Sequence, residues 1–215
     1  PIIRAWEHGT WYIINESKTP DGGIIQTFSD ITDLKRAEEQ ISHMANHDAL
    51  TGLPSLRLGK DRLTSAVAHA HRHDSKVALM FVDLDGFKEV NDTIGHDAGD
   101  EVLVGVAKRL TDCVRETDTV ARIGGDEFTV VITEVSDKDA IANVAKKIID
   151  SVSEPFILSD GAAQTTIGAS VGIAIYPDHG KNAEALVRLA DKAMYTVKRR
   201  GKNNYVFVDE IDPED

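Results

Sequence analysis

Val77 to Val82 is an unbroken apolar run, as expected of a central strand buried on both faces, and it stops abruptly at Asp83. Around it the spacing turns helical. From Asp97 to about Glu116, Val102, Leu103, Val106, Leu110 and Val114 share one stripe, with Asp97 as the predicted N-cap. Asp137 to Val152 carries Ile141, Val144, Ile148 and Ile149 on one face, and Ala183 to Arg199 is a further helix. Thr119 to Ile123 and Phe128 to Thr133 flank Gly124-Gly125 and predict a hairpin. Strands are also predicted over Thr165 to Tyr176 and Asn204 to Val208. Helices interleaved with mixed strands predict a layered α/β domain over residues 48–215.

The beginning of the chain reads differently. Thr10 to Lys18 is rich in Trp, Tyr and Ile, Pro20-Asp21-Gly22-Gly23 is a turn, and Ile24 to Phe28 returns as a strand. Two or three such strands do not make an independent core. Residues 1–32 are therefore expected to be the end of a larger domain, and they resemble the closing strands of a PAS sensor domain, which ends in Asp-Ile-Thr, here Asp30-Ile31-Thr32. Residues 33–47 form a helical linker, in which Leu34, Ala37, Ile41 and Met44 approach a heptad seam. Two chains can zip together along it, or it can pack as a short amphipathic linker on its own domain.

Composition narrows the function classes. With 215 residues and 41% hydrophobic content the chain can bury a sizeable core, and 6% aromatic content makes that core largely aliphatic. The net charge of −12 disfavours nucleic acid as a partner, though a polyphosphate can still bind through a metal. The lone Cys113 lies in a helical apolar pattern and reads as a buried, inert thiol, consistent with a reducing cytoplasmic setting. No apolar stretch approaches the roughly 20 residues that span a bilayer. The sequence begins at Pro1, so a parent protein can still carry a membrane anchor.

The candidate chemistry is acidic. Asp83-Leu84-Asp85 stands where the buried strand emerges, and Asp126-Glu127 follows a glycine turn that lets a bulky ligand approach the backbone. If the hairpin packs beside the Val77–Val82 strand, Asp83 and Asp126 converge, bringing two or three carboxylates together. They then repel one another unless a cation such as Mg²⁺ satisfies them and bridges to phosphate oxygens. Taken singly, each feature is also ordinary turn chemistry.

Gly124-Gly125-Asp126-Glu127-Phe128 matches, letter for letter, the signature of the GGDEF family of diguanylate cyclases. Asp48-Ala49-Leu50-Thr51-Gly52-Leu53-Pro54 resembles that family's opening motif, Phe81 to Asp100 its substrate segment, and Ala190 to Tyr195 with Lys198, Gly201 and Asn203 its C-terminal helix. The resemblance spans about 160 residues in the right order. It implies a central mixed, mainly antiparallel sheet flanked by helices, like the palm of nucleotide cyclases. It also implies condensation of two GTP into cyclic di-GMP and pyrophosphate at a homodimer, with Mg²⁺ or Mn²⁺.

On this resemblance Asp83 is a side-chain metal ligand, Leu84 a ligand through its carbonyl, and Asp126 a ligand and proton acceptor, with Glu127 supporting the site. Asn91 and Asp100 read guanine, and Lys88, Lys198 and Lys202 meet phosphates. His96 stands near ribose or base, and Gly124 and Gly125 lie against the substrate. Arg115-Glu116-Thr117-Asp118, ending six residues before Gly124, fits a product-inhibition site built on Arg115 and Asp118. Ser55-Leu56 departs from the common Asn-Arg, and Lys202 replaces a common Arg, giving a point charge instead of a bidentate fork. The rival readings are a noncatalytic module sensing GTP or cyclic di-GMP for an adjacent domain, and a dimerising adaptor built on the Leu34–Met44 helix.

Overall fold

In residues 1–45, one of two compact units, three strands pair antiparallel in sequence order: β1 (Ile2–Trp6), β2 (Thr10–Lys18) and β3 (Ile24–Asp30). The structure, a computed structural model, describes residues 1–6, 9–158 and 164–212. Helix α1 (Thr32–Asn46) follows β3. At their junction Asp30 Oδ1 accepts from the backbone N–H of Thr32 at 2.8 Å and from its hydroxyl at 2.6 Å, while Trp11 N–H donates to Thr32 Oγ1 at 2.9 Å. These bonds to Thr32 hold the Asp30 carboxyl below the usual range. The Asp-Ile-Thr run is thus a strand-to-helix joint. Leu34, Ile41 and Met44 of α1 are exposed.

The second unit, residues 46–215, is built on the apolar run. Its elements are α2 (Leu56–His73), β4 (Val77–Asp85), α3 (Phe87–Thr93), α4 (His96–Cys113), β5 (Thr119–Gly124), β6 (Glu127–Ile132), α5 (Lys138–Ser153), β7 (Phe156–Ile157), β8 (Gln164–Thr165), β9 (Gly168–Tyr176), α6 (Ala183–Arg199) and β10 (Asn204–Phe207). A short 3-10 turn, Val208–Glu210, follows. The main sheet runs β10-β9-β4-β6-β5, antiparallel throughout except for the parallel β10–β9 pair. The expected mixed, mainly antiparallel sheet flanked by helices is the one observed.

β4 is buried along its whole length because both faces are covered. Ala78, Met80, Val82 and Leu84 enter the core shared with α3, α4 and α5, whereas Val77, Leu79 and Phe81 enter the core shared with α2 and α6. The period of two therefore places Asp83 and Asp85 on the α2/α6 side.

Several boundaries differ from the sequence expectation. Helices α2 and α3 were not anticipated; α2 buries Gly59, Leu63, Val67 and Ala70, and α3 buries Phe87 and Val90. Helix α4 begins at His96 behind Gly95, whose φ of 113° suits glycine, so Asp97 lies in the first turn and is not the N-cap. It ends at Cys113, because Arg115 to Asp118 form a turn of their own. The predicted Thr165–Tyr176 strand is interrupted: Gln164–Thr165 pairs with β7 in a separate ribbon, and β9 starts at Gly168. Burial pushes the Cys113 thiol up, in line with an inert side chain.

Helix α6 lies directly on β9. A Cβ at Gly172 would collide with the backbone of Ala190 and Met194, so the absent side chain sets the distance at which α6 crosses the sheet. Its N-cap, Asn182, accepts from Ala185 N–H at 2.8 Å. Gly172→Ala is expected to destabilise the unit by about 3 kcal/mol through overpacking against rigid backbone, measured as a lower urea midpoint at unchanged m-value.

Candidate active site

The antiparallel register of β4 and β6 sets Asp83 opposite Glu127, and Ser170 of β9 opposite Asp83 on the other side. Opposed residues share a sheet face, so the two carboxylates are held together at the strand ends. The hairpin that delivers Glu127 turns through Gly125 and Asp126 after a bulge between Arg122 and Gly124. Gly125 has φ 54° and Gly124 φ 155°, conformations open to glycine without strain. The Asp126 carbonyl accepts from Leu84 N–H at 3.2 Å, which seats the turn against β4.

Arg122, to which the sequence reading gave no role, holds this hairpin from below. Its guanidinium donates to the Gly125 carbonyl from Nη2 at 2.8 Å and Nε at 3.1 Å, and from Nη1 to Asp48 Oδ1 at 3.0 Å. Asp48 also accepts from Thr51 N–H at 2.9 Å and Thr51 Oγ1 at 2.6 Å. Burial alone would raise the Asp48 pKa, but the Thr51 bonds and Arg122 outweigh it and leave the carboxyl below the usual range. The segment Asp48–Pro54 is thereby tied to the Gly-Gly turn. Its next residue, Ser55, begins α2 without a side-chain cap bond.

Asp83 is buried, with its carboxylate paired to Lys198 Nζ of α6 at 2.7 Å. Burial dominates: it raises the Asp83 pKa, the Lys198 bond works against it, and Asp126 and Asp85 add to the rise. Lys198 is the more exposed partner; burial disfavours its charge, yet the bond to Asp83 and the neighbouring carboxylates raise its pKa overall. Glu127 is likewise raised, first by burial and then by Asp83, Asp126 and Asp191. The site holds crowded acids that lack sufficient positive charge.

A cleft of 550 Å³ opens over this point, lined by Asp83, Leu84, Lys88, Asp126, Lys198 and Lys202, together with Asp85, Gly86, Phe87, Glu89 and Asp92. Six of the residues expected at the site therefore share one concavity. Glu127 is paired with Asp83 across the strands, but it and the expected Gly124 and Gly125 are not among the lining residues. Asn91 and Asp100 sit at the α3–α4 junction, where Gly99 leaves room for the Asn91 side chain; His96 is the exposed first residue of α4. Arg115 and Asp118 lie apart. Asp118 accepts from Arg115 N–H at 3.1 Å and Thr133 N–H at 3.0 Å, so its carboxylate closes the β5 approach, while the Arg115 side chain is exposed.

Among the described residues, no three His, Cys, Asp or Glu side chains come together as a ready-made metal cage. The metal-capable side chains lining the cleft are nonetheless all hard-oxygen carboxylates: Asp83, Asp85, Glu89, Asp92 and Asp126. That set suits Mg²⁺, which keeps several waters and completes its shell with one or two carboxylates and substrate phosphates.

A helix-flanked, mainly antiparallel sheet with paired acids at its central strand ends is the fold of the GGDEF domains that this unit matches. The chain belongs to the family described as "Diguanylate cyclase, GGDEF domain", whose sequence profile matches residues 45–204. It is 37% identical over 212 residues to diguanylate cyclase TpbB of Pseudomonas aeruginosa, covering 92% of this chain and 48% of TpbB. It is 44% identical over 176 residues to MucR of the same organism, named a bifunctional diguanylate cyclase/cyclic di-GMP phosphodiesterase, covering 82% of this chain and 25% of MucR. The chain thus spans between a quarter and a half of these relatives' length. The solved GGDEF domain of TpbB superposes with a TM-score of 0.73 at 41% identity, covering 75% of this chain and 94% of that one. The GGDEF domain of DgcB from Caulobacter crescentus, solved in complex with cyclic di-GMP, gives 0.72 at 28% identity, covering 77% and 97%. Among the described residues no helix is long and apolar enough to cross a membrane.

Because the Glu127 pKa is raised on folding, its ionisation opposes folding at neutral pH, and the penalty vanishes below the ordinary carboxylate range. In EDTA, Glu127→Gln is expected to raise the melting temperature by about 2 °C at pH 7, with no gain near pH 4. Thermal denaturation at the two pH values checks this.

Proposed function

We propose that this domain is a diguanylate cyclase that condenses two GTP into cyclic di-GMP with release of two pyrophosphates. The reading rests chiefly on the cleft that brings Asp83 and Asp126 together with Lys88, Lys198 and Lys202, with Glu127 paired opposite Asp83. Asp83, Glu127, Asp126 and the Leu84 carbonyl would hold Mg²⁺ or Mn²⁺. That metal would supply charge neutralisation of the triphosphate and polarise the α-phosphorus. Lys198 exchanges its carboxylate partner for phosphate oxygens, and Lys88 and Lys202 draw the triphosphate into the cleft. Asn91 and Asp100 read the guanine edge, with an amide and a carboxylate complementing its donors and acceptors. His96 lies beside the nucleoside.

Each domain holds one GTP, so the reaction needs two domains face to face. The 3′-hydroxyl oxygen of one GTP bonds to the α-phosphorus of the other as the bond to pyrophosphate breaks; Asp126 takes the hydroxyl proton. The reciprocal attack closes the ring. Alignment and charge stabilisation carry the rate enhancement, without a covalent enzyme intermediate.

Dimerisation is therefore part of catalysis, and the exposed Leu34, Ile41 and Met44 of α1 offer a seam for it. Residues 1–32 are read as the closing strands of a PAS sensor domain, so that a signal in the parent protein sets how two catalytic domains meet. Cytoplasmic GTP fits the composition. Feedback by cyclic di-GMP would act at Arg115, whose exposed guanidinium can grip phosphate or the guanine Hoogsteen edge, while Asp118 shapes the turn.

Incubation of nucleotide-stripped protein with GTP and Mg²⁺ tests the reading. Cyclic di-GMP should rise more than linearly with protein concentration, and Asp126→Ala should lower turnover by about a thousandfold or more. Arg115→Ala should retain turnover and lose inhibition by added product. GTP or cyclic di-GMP binding without any product would instead support the sensor reading.

A further inference from the structure

Asp85 stands two residues beyond Asp83 on the same face of β4, in the acidic run that ends the strand. Their company differs. Asp83 takes a lysine, whereas Asp85, 9% exposed, takes neutral donors: Ser170 Oγ lies 2.9 Å from both of its oxygens, and the Asn203 backbone N–H donates to Oδ2 at 2.9 Å. Ser170 is itself fully buried on β9. Asp85 thus joins β4 to a turn 118 residues away in sequence, the one between α6 and β10.

That turn is conformationally expensive. Lys202 and Asn203 are both non-glycine residues in the left-handed region, with φ 66° and 46°, an arrangement that persists only where surrounding contacts fix it. Lys202 N–H donates to the Val197 carbonyl at 3.1 Å, closing the end of α6. On the other side Asn203 Oδ1 accepts from Ala169 N–H at 3.2 Å and Ser153 Oγ at 3.1 Å. Asp85 supplies the bond to the Asn203 amide itself. The result sets the exposed Lys202 side chain at the rim of the cleft with Lys88 and Lys198.

We propose that Asp85 is a positioning residue for nucleotide binding, acting through Lys202 by pinning the 202–203 turn to β4. The inference rests on the reading of the cleft as a triphosphate site. Asp85 lines the cleft, but both of its oxygens are engaged by Ser170 and one of them also by the Asn203 amide. Asp85 is thus separated in role from Asp83, although the two are neighbours on one strand.

The test is calorimetric binding of a non-hydrolysable GTP analogue with Mg²⁺, alongside steady-state turnover. Asp85→Ala is expected to weaken binding about tenfold, as for loss of a hydrogen bond to a charged group, and to raise KM with little change in kcat. Asp85→Asn keeps an acceptor oxygen and should stay within about threefold of wild type. In a Lys202→Ala background, Asp85→Ala should cost less than about twofold more, since the two act through one contact. Ser170→Ala, a milder change should Asp85→Ala fail to fold, should weaken binding about threefold and likewise lose that effect beside Lys202→Ala. Unchanged affinity in Asp85→Ala, or fully additive losses with Lys202→Ala, overturns the positioning role alone. A wild-type chain that binds no analogue overturns the triphosphate reading and the inference with it.

Discussion

The antiparallel pairing of β4 with β6 is the constraint on which the site depends. It fixes Asp83 opposite Glu127 at the end of a strand that is wholly apolar up to Val82 and buried along its length. Two acids at such a place disfavour one another's charge and are disfavoured by burial, and both have raised pKa values. A domain seeking only stability would not keep them, since well-packed neutral residues would serve better. Perturbed acids beside a cleft lined by lysines are the features expected of a functional site, and the proposed reading has cation and phosphate satisfying them.

Much of the remaining architecture serves to hold those acids in register. Arg122 clamps the Gly125 carbonyl from one side and Asp48 from the other, so the opening motif and the signature hairpin form one rigid block. Helix α6 presses onto β9 at Gly172 and carries Lys198 to Asp83. The turn after α6 is bonded to Asp85, and the lysines and acids of the cleft are carried by β4, the β5–β6 turn, α3, α6 and the turn after α6.

The elements with strong periodicity were legible in the sequence. The Val77–Val82 run, the α5 and α6 stripes and the signature hairpin appear where the pattern placed them, because each is governed by local spacing and turn chemistry. Helix α2 is less legible although Leu63, Val67 and Ala70 have helical spacing, since its last turn is the polar run His71, Arg72 and His73. The site was legible as residue types through family resemblance, but its geometry was not. That Glu127 faces Asp83 follows from a pairing between distant strands. That Asp85 bonds Ser170 and Asn203 follows from contacts 85 and 118 residues apart in sequence, and no periodicity encodes either one. Arg122 is two residues ahead of the signature, and its role emerges only once the hairpin curls back onto it.

The central claim is that the Asp83–Glu127 pair is completed by metal and triphosphate together. Calorimetric titration of a non-hydrolysable GTP analogue into the protein, in Mg²⁺ and then in EDTA, addresses it most directly, with Glu127→Gln as the comparison. The account requires that wild-type affinity fall by about a hundredfold without the metal, and that Glu127→Gln lose most of this metal dependence. Equal affinity in Mg²⁺ and EDTA, or an undiminished metal effect in Glu127→Gln, would contradict it.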